Sequence, residues 1–214
     1  MLNLLLDTTS MSGMLRDSHD VSERIILEDV PSSRVNLPTV MQSLKSCNRI
    51  TFSYRSYSRV NASYGVEIEP YCVRLFKQLW YVIGYNLKDK KIKTYSLDRM
   101  SDVTINPETF ELPGDFDGET YFNDCFGVMT SHGKAKNVTL RVTPGKAKYL
   151  RALPLHHSQR EDIHDKYSLF YYHLFLTNDL VAEILSHGAE IQVVSPPELR
   201  ALVISHLKSA LEQY

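Results

Sequence analysis

Four runs rich in β-branched and aromatic residues follow one another between Ile50 and Leu97: ITFSYRSY, VEIEPYCVRLF, LWYVIGY and IKTYSL. Polar or turn-forming stretches such as NASYG and NLKDKK separate them. Side chains of this kind suit a pleated, half-buried surface, so the segment reads as four or five short antiparallel strands. Just before them, Pro38 to Ser46 places Val40, Met41 and Leu44 on one helical face, with Pro38 tolerated in the first turn and an end expected near Asn48. One helix and then this many strands fit a small SH3-like or Sm-like barrel, which closes its own edges in little length.

The pattern changes after residue 134. Val138, Leu140 and Val142 alternate with Thr139, Arg141 and Thr143, as in a half-buried strand. Thr143 and Pro144 then supply an N-cap and a first-turn proline for a helix through Leu150. Strands are expected around His156 to Ile163 and Ser168 to Leu176. Asn178 is the expected cap of a second helix carrying Leu180, Val181, Ile184 and Leu185, with Gly188 as its C-terminal glycine. After a strand at Ile191 to Val194, Ser195 and Glu198 have capping-box spacing for a last helix with Leu199, Leu202, Val203, Leu207, Ala210 and Leu211 inward. The order βαββαβ predicts a ferredoxin-like sandwich with an added helix, and the whole chain is of the α+β class.

Length and charge set the organisation. With 214 residues and 43% hydrophobic side chains the chain can bury a core, and two small domains suit that length. A net charge of -1 argues against wholesale electrostatic wrapping of nucleic acid or a membrane. The charge is nevertheless blocked: residues 45–105 carry eleven basic and five acidic side chains, 106–133 six acidic and no basic ones, and 134–176 eight basic and three acidic. The acidic block NPETFELPGDFDGETYFND has the Pro, Gly and Asp content of a linker. Expected boundaries are therefore a connector over 1–37, a barrel over 38–106, an acidic linker over 107–135 and the sandwich over 136–214.

Cys47, Cys72 and Cys125 are an odd number at unrelated spacings, so neither a disulfide framework nor a zinc site is written here. Asp7 interrupts the apolar start MLNLLLD, and no run of about 18 apolar residues follows. A cytoplasmic protein with no membrane contact is expected.

The segments Ile68-Glu69-Pro70-Tyr71, Leu79-Trp80-Tyr81-Val82-Ile83-Gly84-Tyr85 and Ile92-Lys93-Thr94-Tyr95-Ser96-Leu97-Asp98-Arg99-Met100 resemble the WYL-domain family of bacterial transcriptional regulators. The tripeptide that names the family stands as Trp80-Tyr81-Val82, and Phe52-Ser53-Tyr54 resembles the family's first strand. Leu153 to Gln159 and Ser195 to Arg200 resemble its C-terminal extension domain, so the match covers about residues 38–214. The resemblance implies an Sm-like barrel followed by a ferredoxin-like extension, a homodimer, and a barrel that senses a negatively charged ligand, in several relatives single-stranded nucleic acid or a nucleotide. Relatives place a winged helix-turn-helix first, for which 37 residues are too few, so duplex DNA is expected to be read only through a winged-helix domain missing from this chain. SERIILE, residues 22–28, would then belong to a connector.

Phosphates need cations and bases need aromatic faces. Tyr54, Tyr57, Tyr71, Tyr81 and Tyr95 share strands with Arg55, Arg74, Lys77, Lys93 and Arg99. The expected ligand set is Tyr54, Arg55, Tyr71, Lys77, Tyr81, Lys93, Tyr95 and Arg99, with Arg151, His157 and Gln159 as a secondary set on the extension domain. Relatives often carry Arg at the Lys93 position, and a lysine there gives up the bidentate fork. Trp80 is read as packing, Arg99 has an ion pair with Asp98 as an equal reading, and the tyrosines are also good strand formers.

No cofactor is implied. His156, His157 and His164 lack a carboxylate or cysteine at fixed ligand spacing, and adjacent histidines on a strand point to opposite faces. Ser158 with His157 and Asp162 lacks a nucleophile turn. The chain is expected not to be an enzyme. A stand-alone nucleic-acid-binding module and a metal-dependent enzyme are the alternatives, in that order.

Overall fold

The computed structural model describes residues 35–214 apart from 58–60 and 132, so the expected connector lies almost wholly outside the described residues. Helix α1, Leu37–Ser46, starts with a proline in its first turn and stops where Cys47 turns left-handed. Its Val40 is buried beneath the first sheet and Leu44 packs beside it.

That sheet has five strands, β1 (Asn48–Tyr54), β2 (Ser63–Phe76), β3 (Leu79–Asn86), β4 (Lys91–Ser96) and β5 (Met100–Thr109), in the order β4-β3-β2-β1-β5. Every neighbouring pair is antiparallel. Alternation turns Ile50, Phe52, Ile68, Val82 and Tyr95 inward, where they meet Leu97 and Met100. Gly84 is required in β3, because a Cβ there would stand 2.5 Å from the Glu69 carbonyl oxygen.

The expected closed barrel does not form: among the described residues no ladder joins β4 to β5. The chain passes between these two edges through a 3-10 turn, Leu97–Arg99. Asn36 Nδ2 donates to the carbonyls of Leu97 (3.0 Å) and Met100 (2.8 Å), so these acceptors are already engaged. Single contacts hold the seam instead. The Ser96 N–H donates to Tyr54 Oη at 3.3 Å, and the Arg55 N–H to the Arg99 carbonyl at 3.0 Å.

The second sheet has the order β7-β8-β6-β9, all antiparallel, from β6 (Lys136–Val142), β7 (Arg160–Ile163), β8 (Ser168–Leu174) and β9 (Ile191–Ser195). Helix α3, Pro144–Ala152, follows β6; α4, Asn178–Ser186, follows β8; and α5, Pro197–Leu211, ends the chain's regular structure. Their apolar sides cover one face of the sheet, with Leu140, Phe170 and Leu199 wholly buried.

Several local expectations change. Thr143 caps α3 as expected, but Thr177 rather than Asn178 caps α4. The Ser195–Glu198 capping box is absent because Ser195 still pairs with Thr139 in the β6–β9 ladder and Pro196 occupies the cap position. Glu198 pairs instead with Lys136. The strand expected from His156 begins only at Arg160, since a turn closes with the Gln159 N–H on the His156 carbonyl at 3.0 Å. Of the inward set expected on α5, only Leu199 and Val203 are buried; Leu202, Leu207 and Leu211 are exposed.

Residues 107–135 carry a short helix α2, Gly118–Tyr121, whose Asp117 cap accepts the Thr120 N–H at 2.7 Å. Phe122 and Cys125 from this segment form a third core with Ile83, joined by Cys72, Phe116, Tyr121 and Phe175. Gly127, at φ 83°, lets the backbone turn under Asp179, whose Oδ2 accepts the Val128 (2.9 Å) and Met129 (3.0 Å) N–H groups.

Candidate functional site

The turn that joins β4 to β5 carries Asp98 and Arg99, and Asn36 holds it from both ends. Arg99 lies over the ring of Tyr57, 3.9 Å from guanidinium carbon to ring centre, while Tyr57 itself is 78% exposed. Such stacking leaves the edge of the guanidinium fork for an anion. Arg99 Nε is buried without a hydrogen-bond acceptor; the nearest carboxylate oxygen, on Asp98, is 3.9 Å away, and Asp98 also accepts from Ser96 Oγ. Around this group is a hollow of about 430 Å³, whose wall includes Tyr54, Arg55, Tyr57, Tyr64 and Asp98.

A second hollow, of about 480 Å³, lies against the β3–β4 hairpin and shares Tyr54 and Tyr64 with the first. Glu67, Lys88, Asp89 and Lys93 supply its charges in balance, so it is polar without being cationic. Lys93 is paired with Asp89, and the buried Tyr95 hydroxyl accepts from Asn86 Nδ2 at 2.8 Å. Tyr64, 82% exposed between the two hollows, escaped sequence reasoning because it stands in the turn-like NASYG stretch.

Of the eight residues expected to form the site, Tyr54, Arg55 and Arg99 line the first hollow, and Tyr54, Lys93 and Tyr95 the second. Tyr81 is half-buried in β3; burial raises its hydroxyl above the ordinary value, while Ser96 and Arg99 act in the other direction. The remaining two lie elsewhere. Tyr71 packs on Phe110 and Phe116, with burial and then Glu69 raising its hydroxyl. Lys77 donates to Glu183 Oε2 at 2.7 Å on α4.

Arg74, opposite Tyr81 in the β2–β3 ladder, stacks 4.1 Å over Phe122, and burial lowers its guanidinium. Beside it Cys72 and Cys125 are free thiols, each pushed up to about 11 by burial, which keeps them protonated and unreactive.

The secondary set does not converge on one hollow. Arg151 makes a two-pronged pair with Glu161, both contacts at 2.7 Å, and holds that carboxylate below its ordinary range. Gln159 donates to the Leu150 carbonyl at 2.8 Å and accepts from the Leu155 N–H at 3.2 Å and from Tyr172 Oη at 2.9 Å, which leaves little of its amide for a ligand. His157 is exposed, with its ring centre 4.0 Å from that of His156. The two histidines were expected on opposite faces of a strand; they lie side by side because a turn, without strand alternation, carries them. Among the described residues no three His, Cys, Asp or Glu side chains are grouped to hold a metal ion. No described helix is long and apolar enough to cross a membrane.

No curated protein matches the chain. Solved structures similar to it include the proteasome accessory factor B/C (PafBC) of Arthrobacter aurescens, at 19% identity over 87% of this chain and 28% of that one, with a TM-score of 0.42. A CRISPR Cas-related protein is similar at 11% identity over 83% of this chain and 50% of that one, with a TM-score of 0.50, a likeness of fold. The chain thus spans half or less of the length of either. Residues 35–105, which hold the first sheet up to the middle of β5 together with its two hollows, match the WYL domain, and residues 134–211, which hold the second sheet and its helices, match the WCX domain. The chain therefore belongs to the WYL-domain family, with a WYL domain followed by a WCX domain.

Proposed function

We propose that this WYL–WCX unit is the effector-sensing and dimerising region of a bacterial transcriptional regulator, and that its effector is a single-stranded nucleic acid or nucleotide bound at the Arg99 hollow. One observation carries the reading: a guanidinium whose buried Nε has no hydrogen-bond acceptor, with Asp98 only at the long ion-pair distance of 3.9 Å, is stacked on an exposed tyrosine in a hollow that holds a second arginine. A buried donor without a partner is costly, and a phosphate oxygen would satisfy it. The exposed faces of Tyr57 and Tyr64 are available for stacking, and the net positive charge of residues 45–105 favours the anion.

The same turn offers a route for the signal. Asn36, immediately before α1, bonds both ends of the Leu97–Arg99 turn, so an anion that shifts Arg99 also shifts the start of that helix. Reading of duplex DNA falls in this scheme to a winged-helix module outside this sequence, and the setting is cytoplasmic. The βαββαβ order and the β7-β8-β6-β9 sheet support a ferredoxin-like reading of the WCX domain, and the exposed leucines of α5 support its use in a homodimer.

The test is fluorescence anisotropy of a labelled 12-nucleotide single-stranded DNA titrated with the chain at several salt concentrations. Binding should weaken with salt, and Arg99→Ala should weaken it by about tenfold with a shallower salt slope. Unchanged affinity in Arg99→Ala would remove the assignment.

A further inference from the structure

The second sheet has an uncovered face of distinctive chemistry. Alternation along β6 sends Val138, Leu140 and Val142 under the helices and Asn137, Thr139 and Arg141 to the other side. Along β8 it sends Phe170, Tyr172 and Leu174 inward and Leu169, Tyr171 and His173 outward. Register then builds rows across the outer face. Arg160, Tyr171 and Thr139 stand side by side, His173 sits opposite Asn137, and Leu169, Arg141 and Gln192 form the row beyond.

Two rings therefore project from the central strand β8 with arginines on the strands to either side. Tyr171 is 39% exposed and His173 is also exposed. A hollow of about 350 Å³ lies between them and Asn137, Thr139 and Ser158. His173 is held by a 2.9 Å contact between its Nδ1 and Asn137 Oδ1, and its N–H donates to Ser158 Oγ at 3.0 Å. Arg141 lies 4.2 Å over the Tyr167 ring, and among the described residues its guanidinium has no hydrogen-bond acceptor. Two acids stand on this side: Asp162, 3.3 Å from His164 Nε2, and the exposed Glu190, which lines a hollow with Arg141, Lys166 and Gln192.

We infer that this face of the WCX sheet is a second binding site for single-stranded nucleic acid, with bases stacked on Tyr171 and His173 and phosphates met by Arg141 and Arg160. Four-stranded antiparallel sheets with an open face and rings on the inner strands stack two or three unpaired bases in just this manner, whereas duplex bases stay buried in their own stack. A protein partner fits less well. Interface centres are depleted of charge, and the apolar side chains on this face are confined to the half-buried Leu169 and to Val194. The site is separate from the Arg99 hollow and does not depend on it.

The experiment is photocrosslinking of the full chain to a 12-nucleotide oligothymidylate carrying 5-iodouracil, with crosslinked peptides mapped by mass spectrometry, alongside anisotropy with the same probe. Crosslinks are expected within Ser168 to Leu174, and Tyr171→Ala with Arg141→Ala should weaken binding by about tenfold, also in an Arg99→Ala background. Because these side chains are exposed, the thermal midpoint should stay unchanged, which separates lost binding from lost fold. Crosslinks confined to the WYL domain, with affinity insensitive to Tyr171 and Arg141, would overturn this site while leaving the Arg99 hollow intact. Absence of any probe binding, or a dimer in light scattering that dissociates on Arg141→Glu while the probe stays unbound, would overturn it as well.

Discussion

Lys77, at the β2–β3 turn of the WYL domain, places its ammonium 2.7 Å from Glu183 on helix α4 of the WCX domain. The pair spans 106 residues of sequence, and His187 Nε2 stands 3.2 Å from the other oxygen of the same carboxylate. It fastens the two domains to each other, but Lys77 is more than half exposed, so solvent and salt screen the attraction. A double-mutant cycle of Lys77→Ala and Glu183→Ala, read by urea unfolding, should give a coupling energy below about 1 kcal/mol that shrinks in high salt. A salt-independent coupling of several kcal/mol would contradict this account.

Gln159 belongs to the interior bonding of the WCX domain. Its amide serves the Leu150 carbonyl, the Leu155 N–H and the Tyr172 hydroxyl together. Gln159→Leu strands all three and should lower stability by about 3 kcal/mol while leaving oligonucleotide affinity of the folded fraction alone. Calorimetry with binding measured well below the midpoint checks both halves, and a variant of normal stability with poor binding would return Gln159 to the ligand site.

Gly84 admits no side chain, since the Cβ of an alanine would press on the Glu69 backbone carbonyl, which cannot swing aside like a flexible side chain. Gly84→Ala is expected to cost about 2 kcal/mol and to lower the thermal midpoint. An unshifted midpoint would mean that β2 and β3 can separate locally without penalty.

His156 titrates below its ordinary value because burial disfavours the charged ring, with His157 and then Arg74 adding to the effect and Asn123 and Asp124 opposing it. The unfolded chain therefore takes up its proton first. Stability linked to the neutral ring is complete above about pH 6.5 and is lost as pH falls through the lower folded value. The carboxylates of Asp117, Glu161 and Glu198 are held below their ordinary values, so their contribution is lost only in more acid solution. Urea midpoints at pH 7.5 and 5.5 should drop for the natural chain and drop less for His156→Gln. Equal drops would assign the slope to other groups.

The strands of both sheets are legible in the sequence because alternation is a local property. Ile50 and Phe52, or Val138, Leu140 and Val142, announce a buried face before any partner is known, and Thr143-Pro144 announces a helix start in the same way. Of the residues in the family motifs, Tyr54 and Arg99 line one hollow, with Arg55 beside them, whereas Tyr81 lines neither of the two hollows. What local pattern does not carry is the partner of each cation. Lys77 meets Glu183, Lys93 meets Asp89 and Arg151 meets Glu161 through turns and strand registers that settle only when the sheets assemble. For the same reason the tertiary structure alone decided that the first sheet stays open between β4 and β5, that Ser195 remains in a ladder instead of capping α5, and that Arg99 lies on Tyr57. Side-chain chemistry along the chain determines which residues seek burial or an opposite charge; the distances that choose among the available partners exist only in the folded state.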